Sequence, residues 1–198
     1  MENPAQTEFP IHDLLARRWS SRAFDERPVE LVTLKGLLEA AHWAPSSNNE
    51  QPWRFIVATK DHEAAWTRLF NCLMEGNRIW AFRAPVLILS VVSMNFQRNG
   101  QPNRHAFHDV GLATENLVLQ ATASGLNTHQ MAGFDVEKAR MDLKIPVGYE
   151  PVVMIAVGYP GDPIALPERL QERERQPRTR RPIDDQVFMG AWGASIPE

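Results

Sequence analysis

The sequence predicts a single domain in which helices cover both faces of a β-sheet. Two apolar runs carry that prediction. Residues 85–93, PVLILSVVS, and residues 151–159, PVVMIAVGY, lack the polar alternation of a half-exposed strand, so each needs cover on both faces. The cover is supplied by segments with apolar residues at helical spacing, the longest being residues 105–124. With 198 residues, 43% of them apolar and 23% charged, the chain can bury one continuous core.

In chain order, residues 11–18 predict a short helix with Leu14 and Leu15 inward, leading into RRWSSRAF at 17–24. A second helix follows Pro28. Its Leu31, Leu34, Leu37, Leu38 and Ala41 share one face, and Pro45 stops it. The loop at 44–55 reads APSSNNEQPWRF. Pro45 and Pro52 hold it open, and Ser46, Ser47, Asn48, Asn49 and Gln51 offer donors and acceptors for one flat polar ligand. The same residue types also make ordinary capped turns. Residues 55–59 predict a strand. Asp61 is placed to cap a third helix reaching Met74, with Ala65, Leu69, Cys72 and Leu73 inward and Gly76 at its end.

Residues 95–103 carry Gly, Pro and Asn without periodicity and predict a mobile surface loop, a candidate ligand lid. In the helix at 105–124, Val110, Ala113, Leu117, Val118 and Ala121 form the inner face and Gly125 follows as its C′ residue. Residues 126–134 return to the sheet as a short strand or turn, and 136–144 form another helix. Pro160 and Gly161 close the last strand, so residues 1–161 are assigned to the core. Residues 162–198, with five prolines and scattered apolar positions, read as an extension of the same domain, an arm that grips a partner subunit.

Composition narrows the function classes. A formal charge of −3 argues against a globally basic nucleic-acid binder, and the single cysteine, Cys72, excludes an intrachain disulfide framework or a thiolate zinc cluster. No secretory signal shows in the first fifteen residues, and the longest near-apolar run, 84–94, is too short to span a bilayer. A soluble protein of the cytoplasm, with no membrane or nucleic-acid partner, is expected. His105 and His108 share a helical face without the H-E-x-x-H spacing, and no G-x-S-x-G, P-loop or G-x-G-x-x-G occurs. One cluster has two readings, a solvated surface or an anion site: Arg18, Ser20 and Arg22 put two guanidinium forks and a hydroxyl within five residues, a donor set suited to phosphate. Arg178, Arg180 and Arg181 belong to a run, 168–181, with six arginines against three glutamates; it is either a solvated charged face or a reach toward the same phosphate.

Taken in order, these motifs resemble the nitroreductase family of FMN-dependent oxidoreductases over almost the whole chain. The match consists of R-x-S-x-R-x-F at 18–24, A-P-S-x-x-N-x-Q-P-W at 44–53, N-x-x-W-x-x-x-A-P at 77–85, G-L-x-T-x-x-x-x-G-F at 125–134, V-G-Y-P at 157–160 and a basic tail ending in Trp192-Gly193. The resemblance implies an α+β three-layer sandwich, a mixed, mainly antiparallel sheet flanked by helices, in an arm-exchanged homodimer with FMN sites at the interface. It implies FMN held tightly but non-covalently, and NAD(P)H as co-substrate. Carried residue by residue, it places Arg18, Trp19 and Ser20 on the phosphate side, with Arg178 and Arg180 completing that side from the tail, and Arg22 toward the ribityl chain or pyrimidine edge. Pro45, Ser46, Ser47 and Asn49 would reach the same flavin from the other subunit, and Asn77 would bond the pyrimidine edge. Gln130, Met131, Ala132 and Gly133 would lie along the ring, with the Ala132 backbone N–H near N5.

Two positions depart from relatives. Ala132 stands where some carry an acid, and Trp80 where others carry a second basic residue, which would leave Arg22 alone to offset charge near N1. No catalytic side chain is required, because the hydride chemistry belongs to the flavin. The implied activity is ping-pong: NAD(P)H reduces FMN and leaves, then a nitroaromatic, quinone or related acceptor takes its place. Another flavin reaction, such as reductive dehalogenation or dehydrogenation, or a non-catalytic flavin-binding dimer, fits the same motifs.

Overall fold

The computed structural model describes residues 2–196, so the last two positions of the arm lie outside the described residues. Its sheet has four strands, β1 (Trp53–Thr59), β2 (Val86–Ser93), β3 (Asn127–Met131) and β4 (Tyr149–Gly158), in the order β1-β2-β4-β3. The helices are α1 (Asp13–Arg17), α2 (Leu31–His42), α3 (Glu63–Asn71), α4 (Glu75–Ala81), α5 (Ala106–Ala123), α6 (Val136–Asp142) and α7 (Glu168–Arg175).

The predicted sandwich is present, and the alternation of β2 explains its three layers. Leu87 and Leu89 point to one side, where they join Met154 and Ala156 of β4, Trp66 and Leu69 of α3, and Trp80 of α4. Val86 and Ile88 point to the other, against Ile155, Leu34 and Leu37 of α2, and Val110 and Leu117 of α5. Each such side chain withdrawn from water contributes about 1.5–3 kcal/mol, so the middle strands dominate the core. Sheet pairing narrows the expectation: β1 with β2, β2 with β4 and β3 with β4 are all antiparallel, so one chain supplies no parallel member of a mixed sheet among the described residues. The outer strands β1 and β3 are edges, each leaving one row of backbone groups unpaired within the sheet.

Several local expectations change. Leu15 and Leu31 were assigned inward but are 44% and 64% exposed, because α1 buries no residue and the buried face of α2 begins at Leu34. Asp61 caps nothing. Residues 60–62 form a 3-10 turn, and α3 starts at Glu63 without a side-chain cap. Gly76 lies inside α4, where nothing comes within 4 Å of its missing side chain, so it does not end a helix. The 95–103 loop is tied by a bridge between Asn95 and Pro102 and by Phe96 N–H donating to the Gln101 carbonyl at 2.8 Å. Within the extension at 162–198, Leu166, Leu170 and Glu174 are buried, whereas no residue from Arg175 to Ile196 is. Among the described residues no helix is long and apolar enough to cross a membrane.

Candidate functional site

The basic segment is built where the chain leaves α1. Arg18 is the C-cap of that helix and donates from Nη1 to Ser20 Oγ at 3.4 Å. Arg178 comes back from the tail to the same helix end. Its Nη1 donates to the Ala16 carbonyl at 2.7 Å and to the Asn3 carbonyl at 3.1 Å. A cation at a helix C-terminus is favourable, yet burial and then the nearby Arg18 and Arg180 push the Arg178 guanidinium below its ordinary range. Three arginines therefore converge, and none of them forms an ion pair among the described residues. On α5, Glu115 is half-buried. Burial raises its carboxyl, and Arg18 pulls it back down.

Arg22 has different company. Its side chain is 25% exposed and lies 3.7 Å from Glu174, a fully buried carboxylate on α7. Glu174 Oε1 also accepts the Arg22 backbone N–H at 3.0 Å, and Oε2 accepts the Ser21 hydroxyl at 2.7 Å. Burial lowers the Arg22 guanidinium and Glu174 counters that effect. The Arg22 charge is thus paired with a buried carboxylate. Beneath the segment, His129 of β3 donates from Nδ1 to the Ser21 carbonyl at 3.2 Å, which fixes the tautomer, and its ring packs 4.6 Å from Trp80. Burial first, and then Arg22, push this imidazole down to about 4, so it is neutral at physiological pH.

Along the adjoining edge, Gln130 and Ala132 are exposed while Met131 is 2% exposed and belongs to the core, so Met131 offers an approaching ligand its backbone alone. Asn77 on α4 donates from Nδ2 to the Gly133 carbonyl at 2.9 Å. A Cβ at Gly133 would sit 2.8 Å from that same nitrogen, which is why the close approach needs glycine there.

The loop after α2 is held differently. Its backbone is left-handed at Asn48, Asn49 and Gln51, with φ of 55°, 54° and 50°. Such conformations cost on the order of 1 kcal/mol or more each and persist only where the surroundings enforce them. The enforcing groups are few. Buried Asp109 of α5 accepts Ser47 N–H at 3.0 Å, and Ser46 Oγ accepts Gln51 N–H at 3.0 Å. Glu50 bonds the Gln97 N–H at 2.6 Å, tying the loop to residues 95–103. Beside it opens a cleft of about 720 Å³ whose wall includes Asn49, Gln51, Arg54, Gln97 and Arg98. Pro45 is exposed, and Trp53 is 6% exposed, an anchor in the core.

The chain thus gathers Arg18, Ser20, Arg22, Arg178 and Arg180 with the β3 edge, while Pro45, Ser46, Ser47 and Asn49 form a second group that shares no hydrogen bond with the first among the described residues. Trp19 lines a hollow of about 270 Å³ with Asn3, Thr122 and Leu126. Sequence reading missed Glu174, which sits among charges in the 168–181 run. The available signal was Leu170 four residues earlier, which marks the inward face of a helix.

Comparison with known proteins follows the same lines. Residues 15–159 match the model of the nitroreductase family. A crystal structure described as an oxidoreductase containing FMN superposes with a TM-score of 0.91 at 37% identity, covering 98% of this chain and 99% of that one. An uncharacterized 15.4 kDa protein of Mycolicibacterium smegmatis is 33% identical over 147 residues, 71% of this chain and 97% of its own length. A Streptomyces coelicolor protein with the provisional name NADH dehydrogenase/NAD(P)H nitroreductase is 29% identical over 164 residues, 73% of this chain and 80% of its own.

Proposed function

This chain belongs to the nitroreductase family, and we propose that it is an FMN-dependent oxidoreductase that uses NAD(P)H to reduce nitroaromatic, quinone or related acceptors by a ping-pong mechanism. The observation that carries the proposal is the convergence of Arg18, Arg178 and Arg180 beside Ser20 without an ion-pair partner among the described residues. Like charges gather at a cost unless an anion joins them, and a phosphate monoester supplies the charge and the acceptor oxygens that these donors require. The 37%-identical relative that contains FMN supports the same group.

The residues present fit the cofactor beyond its phosphate. The exposed edge at Gln130, Ala132 and Gly133 offers backbone N–H groups to a flat ring, with Met131 securing the strand from below. Asn77, whose amide nitrogen is spent on Gly133, keeps its carbonyl oxygen for the pyrimidine edge. Bound FMN would supply the two-electron hydride chemistry, accepting from NAD(P)H and giving to the acceptor, so the protein's part is orientation and charge. Trp19, between Arg18 and Ser20 in the chain, would border the same phosphate.

The second group of residues fits a homodimer. Pro45, Ser46, Ser47 and Asn49 would complete the site of a neighbouring copy, and the arm would reach across to grip it. That reading is supported by the arm itself: beyond Arg178 its hydrogen bonds are local, and Met189 and Trp192 are 55% and 93% exposed.

The test is the visible spectrum of the purified protein. We expect oxidised-flavin peaks, release of FMN on denaturation, and bleaching by NAD(P)H in stopped flow with recovery on adding a quinone. A colourless protein that takes up no added FMN would overturn the proposal, and FMN that NAD(P)H fails to bleach would overturn the catalytic part.

A further inference from the structure

We propose that Glu174 is a positioning residue that sets how much positive charge Arg22 presents to the flavin, and thereby tunes the flavin's redox potential. The inference rests on the flavin reading above. Glu174 is fully buried on α7, one turn from buried Leu170, so its place in the fold is one that an apolar side chain would fill at less cost. A carboxylate there is explained by what it touches. Both oxygens are spent on a segment more than 150 residues earlier in the chain: Oε2 on the Ser21 hydroxyl at 2.7 Å, Oε1 on the Arg22 backbone N–H at 3.0 Å.

The third contact differs in kind. Arg22 Nη1 lies 3.7 Å from Oε1, near enough to pair electrostatically and too far for a hydrogen bond. Glu174 engages the Arg22 guanidinium through Nη1 at 3.7 Å, so its other donors stay available to a ligand while its charge is partly cancelled. The Arg22 segment also lies against β3: His129, the residue before Gln130, donates from Nδ1 to the Ser21 carbonyl at 3.2 Å. A cation between a buried carboxylate and the edge proposed to carry the ring will stabilise negative charge on that ring less than a free cation would.

The test is the midpoint potential of bound FMN, measured anaerobically against a reference dye, for wild type, Glu174→Gln, Arg22→Gln and the double variant. Freeing Arg22 should favour the reduced over the oxidised cofactor by about tenfold, a rise of about 30 mV for a two-electron couple. Arg22→Gln should lower the potential, and the double variant should match Arg22→Gln, because Glu174 acts through Arg22. If Glu174 merely braces the segment, Glu174→Gln will weaken both redox forms equally and leave the potential where it was. That result, or a Glu174→Gln shift that persists without Arg22, overturns the inference. Should Glu174→Gln fail to fold, Glu174→Asp withdraws the carboxylate by one methylene and should raise the potential less. Ser21→Ala keeps the charge and should leave the potential unchanged. Wild-type protein that binds no FMN overturns the flavin reading and this inference together; FMN bound with an unmoved potential overturns this inference alone.

Discussion

The basic segment at 18–22 and the loop at 45–51 both present polar side chains, yet they are held by opposite means. The first is anchored at long range, with Ser21 and Arg22 on Glu174 and His129 beneath them, and burial shifts the ionisation of Arg22 and His129. The second stands on left-handed backbone, one buried carboxylate and a hydroxyl. A surface that must hold charge in place needs burial and pairing, whereas one that must fit against another body needs only shape. Under the proposed function the segment would hold its own chain's ligand and the loop would complete the site of a neighbouring copy.

Acid should break the contrast first. His129 is held down to about 4 in the folded protein, against 6.5 for an ordinary imidazole. Between those values the unfolded chain holds the extra proton, so the stabilisation is complete above pH 6.5 and is lost as pH falls toward 4. The full effect is on the order of 3 kcal/mol. Urea unfolding at pH 7 and pH 4.5 should show it as a steeper acid loss in wild type than in His129→Gln. Next in size, Arg18→Ala should weaken FMN binding by about 2 kcal/mol, roughly 30-fold, by fluorescence titration. The same variant should melt no lower without FMN, since Arg18 repels Arg178. The smallest effect is expected on the loop, where Gln51→Gly should stabilise the protein by about 0.5 kcal/mol, as relief of the left-handed strain exceeds the added freedom of the unfolded chain. A lower melting temperature for Gln51→Gly would show that contacts of the side chain, not the backbone, hold the loop.

What could be read in the sequence followed from burial on two faces. β2 and β4 appear as apolar runs because both sides are covered, and α5 is recognised to within a residue at each end because its inner face repeats without interruption. The basic donors were legible as a cluster, because paired guanidinium groups beside a hydroxyl suit an anion as well as a solvated surface. α4 was hidden by Gly76, which reads as a stop but lies on an open helix face, and α7 by its charges, which mask Leu170 and Glu174 turned inward. The pairing of Arg22 could not be read at all. It depends on two segments far apart in the chain meeting at 3.7 Å, and nothing local to either one specifies the meeting.

The glycine that closes β4 carries a meaning beyond turn-making. A Cβ on Gly161 would lie 2.4 Å from the Phe24 carbonyl carbon, and around that contact Gly161 N–H bonds the Ala23 carbonyl at 3.0 Å while Asp25 N–H bonds the Tyr159 carbonyl at 3.0 Å. The turn that follows the V-G-Y-P signature thus works as a mould in which the end of the basic segment is cast. A residue with no side chain is recorded there because another segment's backbone fills the space, so position 161 carries the imprint of the chain's own assembly, and chemistry reads only the segment that the mould sets in place.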